Sequence, residues 1–425
     1  MKEPVATDLE AVGKAARKAA RHLARLSSRV KDQALVELAG LLRARQEEAL
    51  EANGRDLRSE KEAGLSAALL DRLMLNPSRL SAMAEDVLKV AALPDPVGET
   101  FDMRTLANGL IVGKRRVPLG VIGAIYESRP NVTIDISALS LKSGNACILR
   151  GGSEAVNSNR VLAGLVRRAC ASAGVPEDAV QFIDNTDRAV VYDMLKLKQY
   201  IDLLVPRGGA DLIRFAAQEA AMPVVTGGIG ICHTYVDRAA DLKKAVAIVY
   251  NAKVQRPTVC NALDTVLVHA DVASRFLPLV ARELGGAGVE LRCDQRAWSL
   301  LAPLERARVV PAAQEDWGKE FLDLIAAVKV VDSLEEALDH IQTYGSGHSE
   351  AIVTEDYGAA MRFLDEVDAA AVYVNASTRF TDGGQLGLGA EVAISTSKMH
   401  ARGPMGLKEL TSYKWIVLGT GQVRE

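Results

Sequence analysis

The chain has 425 residues, 25% of them charged and 48% hydrophobic, with 51 Lys+Arg against 54 Asp+Glu for a formal net charge of −3. That length exceeds one ordinary core and predicts two or three domains, and the near balance of charge excludes a globally basic nucleic-acid binder. The 5 cysteines (Cys147, Cys170, Cys232, Cys260, Cys293) are odd in number and widely spaced, with no C-x-x-C pair; this speaks against a disulfide framework or a metal site and fits a reducing cytoplasm.

The opening MKEPVATDLEAVGKAARKAARHLARL is basic and helical, as a transit peptide is, but Glu3, Asp8 and Glu10 and the continuing apolar period make it an ordinary amphipathic helix. No uncharged apolar run of membrane-spanning length follows, and no secretory signal, so neither a membrane partner nor export is expected. Residues 8–93 read as helix, broken near Asn53-Gly54 and again at Asn76-Pro77, where Pro77 can begin the next helix. LPDPVGET is a connector. MRTLANGLIVGKRRVPLG then reads as a hairpin turning at Asn108-Gly109, an arm that could seek a partner.

From residue 120 strands and helices alternate: VIGAIY, a helix over 132–143, ACILRG, a helix over 155–173, AVQFID, DRAVVYDMLKL as helix, IDLLVP. This predicts a doubly wound parallel sheet. A second round predicts another α/β domain from near 230: ICHTYVD, helix 238–252, DTVLVH, helix 271–285, VKVVDS, helix 333–342, EAIVTED, helix 358–366, AAVYVN.

The G-x-G-x-x-G of dinucleotide folds is missing. Gly151-Gly152 beside Arg150 and Gly208-Gly209 beside Arg207 offer bare amides and a guanidinium to phosphates, although Gly-Gly after a strand is more often only a turn. In VQRPTVCNALDTVLVH, Cys260 stands in a short polar stretch before an apolar strand. Residue type alone favours core filling, since free cysteine is among the most buried side chains.

Read together, PLGVIGAI, a polar turn, a helix ending SGN, ILRGGSE, a Gly-Gly after VT and a cysteine further on resemble the aldehyde dehydrogenase superfamily. YESRPNVTIDISALSLKSGNA, QRPTVCNALDTVLVH, HIQTYGSGHSEAI, VNASTRFTDGG, LGLGAEVAIST and HARGPMGLKEL narrow the resemblance to its gamma-glutamyl phosphate reductase branch, also called glutamate-5-semialdehyde dehydrogenases. The resemblance implies an aldehyde dehydrogenase-like α/β fold of two doubly wound domains with a small β oligomerisation arm. The NADPH-binding domain would take 1–104 and 119–228, the catalytic domain 229–402, and the arm 105–118 and 403–425. The implied reaction is NADPH-dependent reduction of L-glutamyl 5-phosphate to L-glutamate 5-semialdehyde with release of phosphate, in proline biosynthesis. A homo-oligomer, dimer or tetramer, is implied, as is a separate gamma-glutamyl kinase in transient contact.

Residue roles follow from the same resemblance. Cys260 becomes the nucleophile and Asn131 the oxyanion donor, against an alternative in which Asn131 caps a helix. Arg150, Ser153 and Glu154 fall in the region that meets the adenosine ribose, with Arg150 toward the 2′-phosphate of NADPH. Arg207, Gly208 and Gly209 fall near the pyrophosphate, and Glu320 on the nicotinamide ribose unless it is a solvated helix residue. Arg129, His348, Ser377 and Arg379, with Glu127 and Thr378, are the polar residues expected around substrate, His348 having a structural alternative. Hydrolytic NAD(P)-dependent aldehyde dehydrogenases, the competing reading, carry a glutamate just before the Gly-Gly; here Val225 and Thr226 precede Gly227-Gly228. An enzyme that must keep its thioester for reduction gains nothing from an activated water.

Overall fold

The computed structural model describes residues 8–227, 229–303 and 308–424, which fall into two compact units. In chain order, the first unit runs α1 (Leu9–Leu23), α2 (Ser28–Ala44), α3 (Gln46–Glu62), α4 (Ala67–Leu73), α5 (Pro77–Ala92), β1 (Thr100–Thr105), β2 (Ile111–Pro118), β3 (Val121–Tyr126), α6 (Asn131–Lys142), β4 (Ala146–Gly151), α7 (Val156–Ser172), β5 (Val180–Phe182), α8 (Arg188–Leu195), β6 (Leu203–Arg207) and α9 (Ala210–Glu219). The second holds β7 (Cys232–Val236), α10 (Leu242–Val254), β8 (Leu263–His269), α11 (Ala270–Gly286), β9 (Glu290–Cys293), α12 (Gln295–Leu301), β10 (Arg308–Pro311), β11 (Ile325–Val331), α13 (Leu334–Tyr344), β12 (Ser349–Val353), α14 (Tyr357–Glu366), β13 (Ala371–Val374), β14 (Ile394–Ser395) and β15 (Gly403–Pro404). The chain returns to the first unit over 387–393 and again from Met405, ending in β16 (Thr411–Leu418).

Within the helical layer the break at Asn76-Pro77 falls as expected: the Asn76 side chain accepts from Arg79 N at 2.8 Å and Pro77 opens α5. The break expected at Asn53-Gly54 does not occur, because α3 runs straight through both residues. Asn53 is buried, and its side chain serves a neighbouring loop instead of its own helix: Oδ1 accepts from Leu75 N at 2.7 Å, and Nδ2 donates to Leu73 O at 2.9 Å. Those tertiary bonds outweigh a weak local turn preference.

In the first unit the parallel order is β5-β4-β3-β6, so the chain leaves β3 toward β4 on one side and returns to β6 on the other. Such a switch point opens a crevice at the carboxyl ends of β3 and β6, where open α/β sheets bind ligands. At the other end of the sheet, Asn145 accepts from Gly120 N at 2.7 Å and donates to Leu410 O at 2.8 Å, which explains the polar S-G-N after α6. The hairpin forms as expected, with Gly109 at φ +85° in its turn, and β16 pairs along the whole of β2 to complete an antiparallel three-stranded arm.

The second unit has seven parallel strands in the order β10-β9-β11-β8-β7-β12-β13. Its core packs Val249, Phe276, Leu277 and Val280 from α10 and α11 on Val266, Val268 and Val328 of the sheet. The strand at Glu290–Cys293 and helix α12 were not singled out from sequence: Glu290 and Arg292 interrupt the apolar run, and both are spent on ion pairs with each other, Arg308 and Asp316.

Candidate active site

Four of the five cysteines are buried and only Cys260 is half-exposed. Burial pushes the thiols of Cys147, Cys170 and Cys293 up to about 12, and that of Cys232 well above its ordinary value. These four are poor nucleophiles, since the thiolate is the reactive form. Cys260 sits in the turn between α10 and β8, at the amino end of the second sheet. The turn is fixed from below by Gly230, where a Cβ would come within 1.5 Å of the Cys260 carbonyl oxygen, so only glycine fits.

Glu320 Oε1 accepts from Gly230 N at 2.9 Å, which ties its carboxylate to the same turn. Burial, with Asp264 nearby, pushes the Glu320 carboxyl up to about 7. Glu320 is therefore no solvated helix residue; it lies in the loop leading to β11.

The segment after β13 doubles back at Asn375, at φ +54°, and wraps the cysteine turn. Thr378 Oγ1 donates to Asn261 O at 2.7 Å, and Asn261 Nδ2 donates to Thr381 O at 2.9 Å. Ser377 is buried and its hydroxyl accepts from Arg379 N at 3.3 Å, so it shapes the loop. Arg379 is half-buried, its Nε donates to Gln255 at 2.8 Å, and it feels both Arg256 and Cys260. The Arg379 guanidinium thus stands near a half-exposed thiol, with the Arg256 guanidinium near Arg379 in turn.

His348 takes the position of its structural alternative. It precedes β12, is wholly buried, and its Nδ1 meets Ser349 Oγ at 2.8 Å, with burial pushing the ring down to about 4. A neutral, enclosed imidazole holding Ser349, itself bonded to Thr381 at 2.7 Å, braces the wrapping loop, while its Nε2 is buried with no partner among the described residues.

In the first unit the other sequence candidates gather at the carboxyl ends of β3, β4 and β6. Asn131 opens α6 without capping it; its Nδ2 donates to Asp135 Oδ2 at 2.8 Å, one turn on, and the helix-cap alternative falls. Asp135, which sequence reading passed over although it lies four residues on, is pushed up to about 6 by burial despite Arg207 nearby. Glu127 accepts from Gly209 N at 3.0 Å at the start of α9, and Glu154 accepts from the Ser128 amide and hydroxyl, beside the half-buried Arg129. Ser153 is exposed. Arg150 corrects the expectation of a 2′-phosphate partner: it is 7% exposed and turned inward, donating to Gly151 O at 3.0 Å and Thr186 O at 2.8 Å. Both of its Nη groups are committed to backbone carbonyls, while Nε is buried with no partner among the described residues.

Residues 2–295 match the model of the Aldehyde dehydrogenase family. A curated gamma-glutamyl phosphate reductase from Dehalococcoides mccartyi is 60% identical over 99% of this chain and 100% of its own length, and one from Roseiflexus castenholzii is 56% identical over 98% and 100%. The crystal structure of gamma-glutamyl phosphate reductase from Thermotoga maritima superposes with a TM-score of 0.95 at 48% identity, covering 98% of this chain and 100% of that one. The chain belongs to the gamma-glutamyl phosphate reductases of the aldehyde dehydrogenase family. Its fold is the aldehyde dehydrogenase-like α/β fold. Among the described residues no helix is long and apolar enough to cross a membrane.

Proposed function

We propose that this chain reduces L-glutamyl 5-phosphate to L-glutamate 5-semialdehyde with NADPH, releasing phosphate, through a thioester on Cys260, as a step of proline biosynthesis in the cytoplasm. The observation that carries the reading is the surroundings of Cys260: the one half-exposed thiol, in a turn that Gly230 fixes and beside which Arg256 and Arg379 stand. The names of the full-length relatives supply the substrate class.

The thiolate attacks the acyl carbonyl, and the tetrahedral oxyanion collapses with expulsion of phosphate, leaving the acyl group on sulfur. Cationic neighbours favour the thiolate and attract the phosphate, the work given to Arg379 and Arg256. Asn131 would be the side-chain donor to the oxyanion, with Asp135 orienting its amide. Val225 and Thr226 supply no carboxylate to activate water, so the thioester survives until it is reduced.

For the dinucleotide, the crevice at β3 and β6 fits: Gly209 N already holds a carboxylate oxygen, so the start of α9 is a working oxyanion seat once Glu127 yields it. Arg207, Gly208 and Gly209 would hold the pyrophosphate, Ser153 and Glu154 the adenosine ribose, and Glu320 the nicotinamide ribose. NADPH supplies hydride when bound. The chain works as a homo-oligomer joined through the three-stranded arm and receives its substrate from a separate gamma-glutamyl kinase.

The deciding experiment runs the reaction in reverse, with glutamate 5-semialdehyde and NADP⁺, with and without phosphate, following reduced cofactor by absorbance. Reduction that requires phosphate upholds acyl-phosphate chemistry. Equal reduction without phosphate means that water resolves the thioester, and the reading of Val225-Thr226 fails.

A further inference from the structure

Helix α1 carries Lys14, Lys18 and Arg21 on one face, and Arg25 follows in the turn beyond its end. This face forms one wall of a groove of about 870 Å³ within the first unit, whose other wall includes Arg115 of β2 and Lys414 of β16. Among the described residues no Asp or Glu lines the groove. Three of its cations are answered from outside it: Lys14 by Glu10 at 2.8 Å, Arg17 by Asp202 at 2.6 Å and Arg116 by Glu99 at 2.8 Å. Lys18, Arg21, Arg25, Arg115 and Lys414 form no ion pair among the described residues.

Two features set this groove apart from an ordinary solvated basic face. Arg115 and Lys414 are direct cross-strand partners, an arrangement of like charges that weakens a sheet unless an anion lies between them. The charge is also local, since the whole chain is at −3. Both walls contribute cations to the same concave space, which suits a compact anion with several charges along its length.

The groove is separate from the dinucleotide seat. Gly120, directly before β3, and Tyr200, shortly before β6, line it, so it lies at the amino ends of the same strands whose carboxyl ends carry Glu127, Gly208 and Gly209. A strand of this length holds the two ends roughly 20 Å apart.

We propose that this groove binds an oligophosphate, the shared chemistry of nucleoside triphosphates and inorganic polyphosphate, with the guanidinium groups gripping phosphate oxygens and the lysines neutralising the rest. By bridging Arg115 and Lys414 the anion strengthens the pairing of β2 with β16, so occupancy of the groove is coupled to the stability of the arm.

The test uses the full chain with saturating NADP⁺ present, so that the dinucleotide seat is filled, and titrates inorganic tripolyphosphate and, separately, ATP by calorimetry. The variants are Lys18→Ser with Arg21→Ser, and Arg115→Ser with Lys414→Ser, all at exposed positions. Tripolyphosphate should bind, raise the melting temperature, and lose at least about tenfold in affinity in each double variant and again between about 50 and 300 mM salt. Equal binding of ATP means that the phosphate chain alone is read, and tighter binding of ATP that the base adds contacts; both uphold the site. The Arg115/Lys414 variant should melt no lower than the parent without ligand and lose the ligand-induced rise. Absence of binding at millimolar tripolyphosphate, binding that NADP⁺ abolishes, or affinity unchanged in both variants overturns the proposal. So does a fall in oligomer mass in the variants without change in binding, which would assign the groove to a second copy of the chain.

Discussion

Cys260 is distinguished from Cys147, Cys170, Cys232 and Cys293 by surroundings that no residue type announces. Its sequence neighbours supply a turn, but the glycine beneath it, Gly230, and the loop around it, 377–381, come from distant parts of the second unit. Cys260→Ser should keep dinucleotide binding, measured by fluorescence quenching, while turnover falls by about 10³-fold or more; a serine variant with substantial rate would end the nucleophile reading. Asn131→Ala should lower the rate by about 10²–10³-fold with little change in melting temperature, because the side chain caps no helix. Loss of stability without loss of rate would make Asn131 structural. Glu320 gives a pH signature. Its folded carboxyl titrates at about 7 against an ordinary value of 4.5, so the folded state is penalised once the group ionises. The penalty is absent below about 4.5, grows as pH rises, and is complete above about 7. Glu320→Gln keeps an acceptor for Gly230 N and removes the charge, so its melting temperature should gain on the parent as pH rises through that window. A constant difference across the window would show that the carboxyl is not held up.

At the scale of elements, the alternation of strands and helices was legible because each strand of the parallel sheets is a short apolar run bounded by turn residues, and because the shared order of motifs pointed to one family. What was illegible depended on partners remote in sequence. Asn53-Gly54 reads as a break, yet α3 continues, since Asn53 bonds the loop at Leu73–Leu75 and, through Nδ2, Ser158 Oγ at 3.1 Å. Asn53→Ala strands the buried Leu75 amide and Leu73 carbonyl, which should cost about 2–4 kcal/mol in denaturant unfolding while α3 stays helical. A cost below about 0.5 kcal/mol would return Asn53 to a passive role. β9 was hidden by Glu290 and Arg292, whose charges are answered only by Arg308 and Asp316 further along the chain. The site shows the same division. The elements that carry Cys260, Asn131 and Gly208-Gly209 were legible as alternating strands and helices, whereas the inward turn of Arg150 and the burial of His348 follow from carbonyls and hydroxyls that only the fold brings near.

At the scale of the whole molecule, the arm ends in an edge. Among the described residues β16 pairs with β2 on one side only, and Tyr413, Trp415 and Val417 lie on one face of it, with Val417 55% and Leu418 58% exposed. A long apolar edge strand is an aggregation hazard unless a partner covers it, and Lys114 lying over the Tyr413 and Trp415 rings shields only part of that face. Covering one large apolar side chain contributes about 1.5–3 kcal/mol, and placing a charge there costs more than the loss of that burial. Val417→Lys should therefore weaken self-association by at least about tenfold, read as a shift toward single chains in sedimentation velocity over a dilution series, with the fold intact by circular dichroism. Unchanged mass at every concentration would mean that the exposed edge is not where copies meet. The basic groove sharpens the experiment, because its Arg115 and Lys414 lie on the same strand pair as Val417. If oligophosphate tightens β2 against β16, it should lower the dilution at which the parent dissociates and have no such effect on the Arg115→Ser, Lys414→Ser chain.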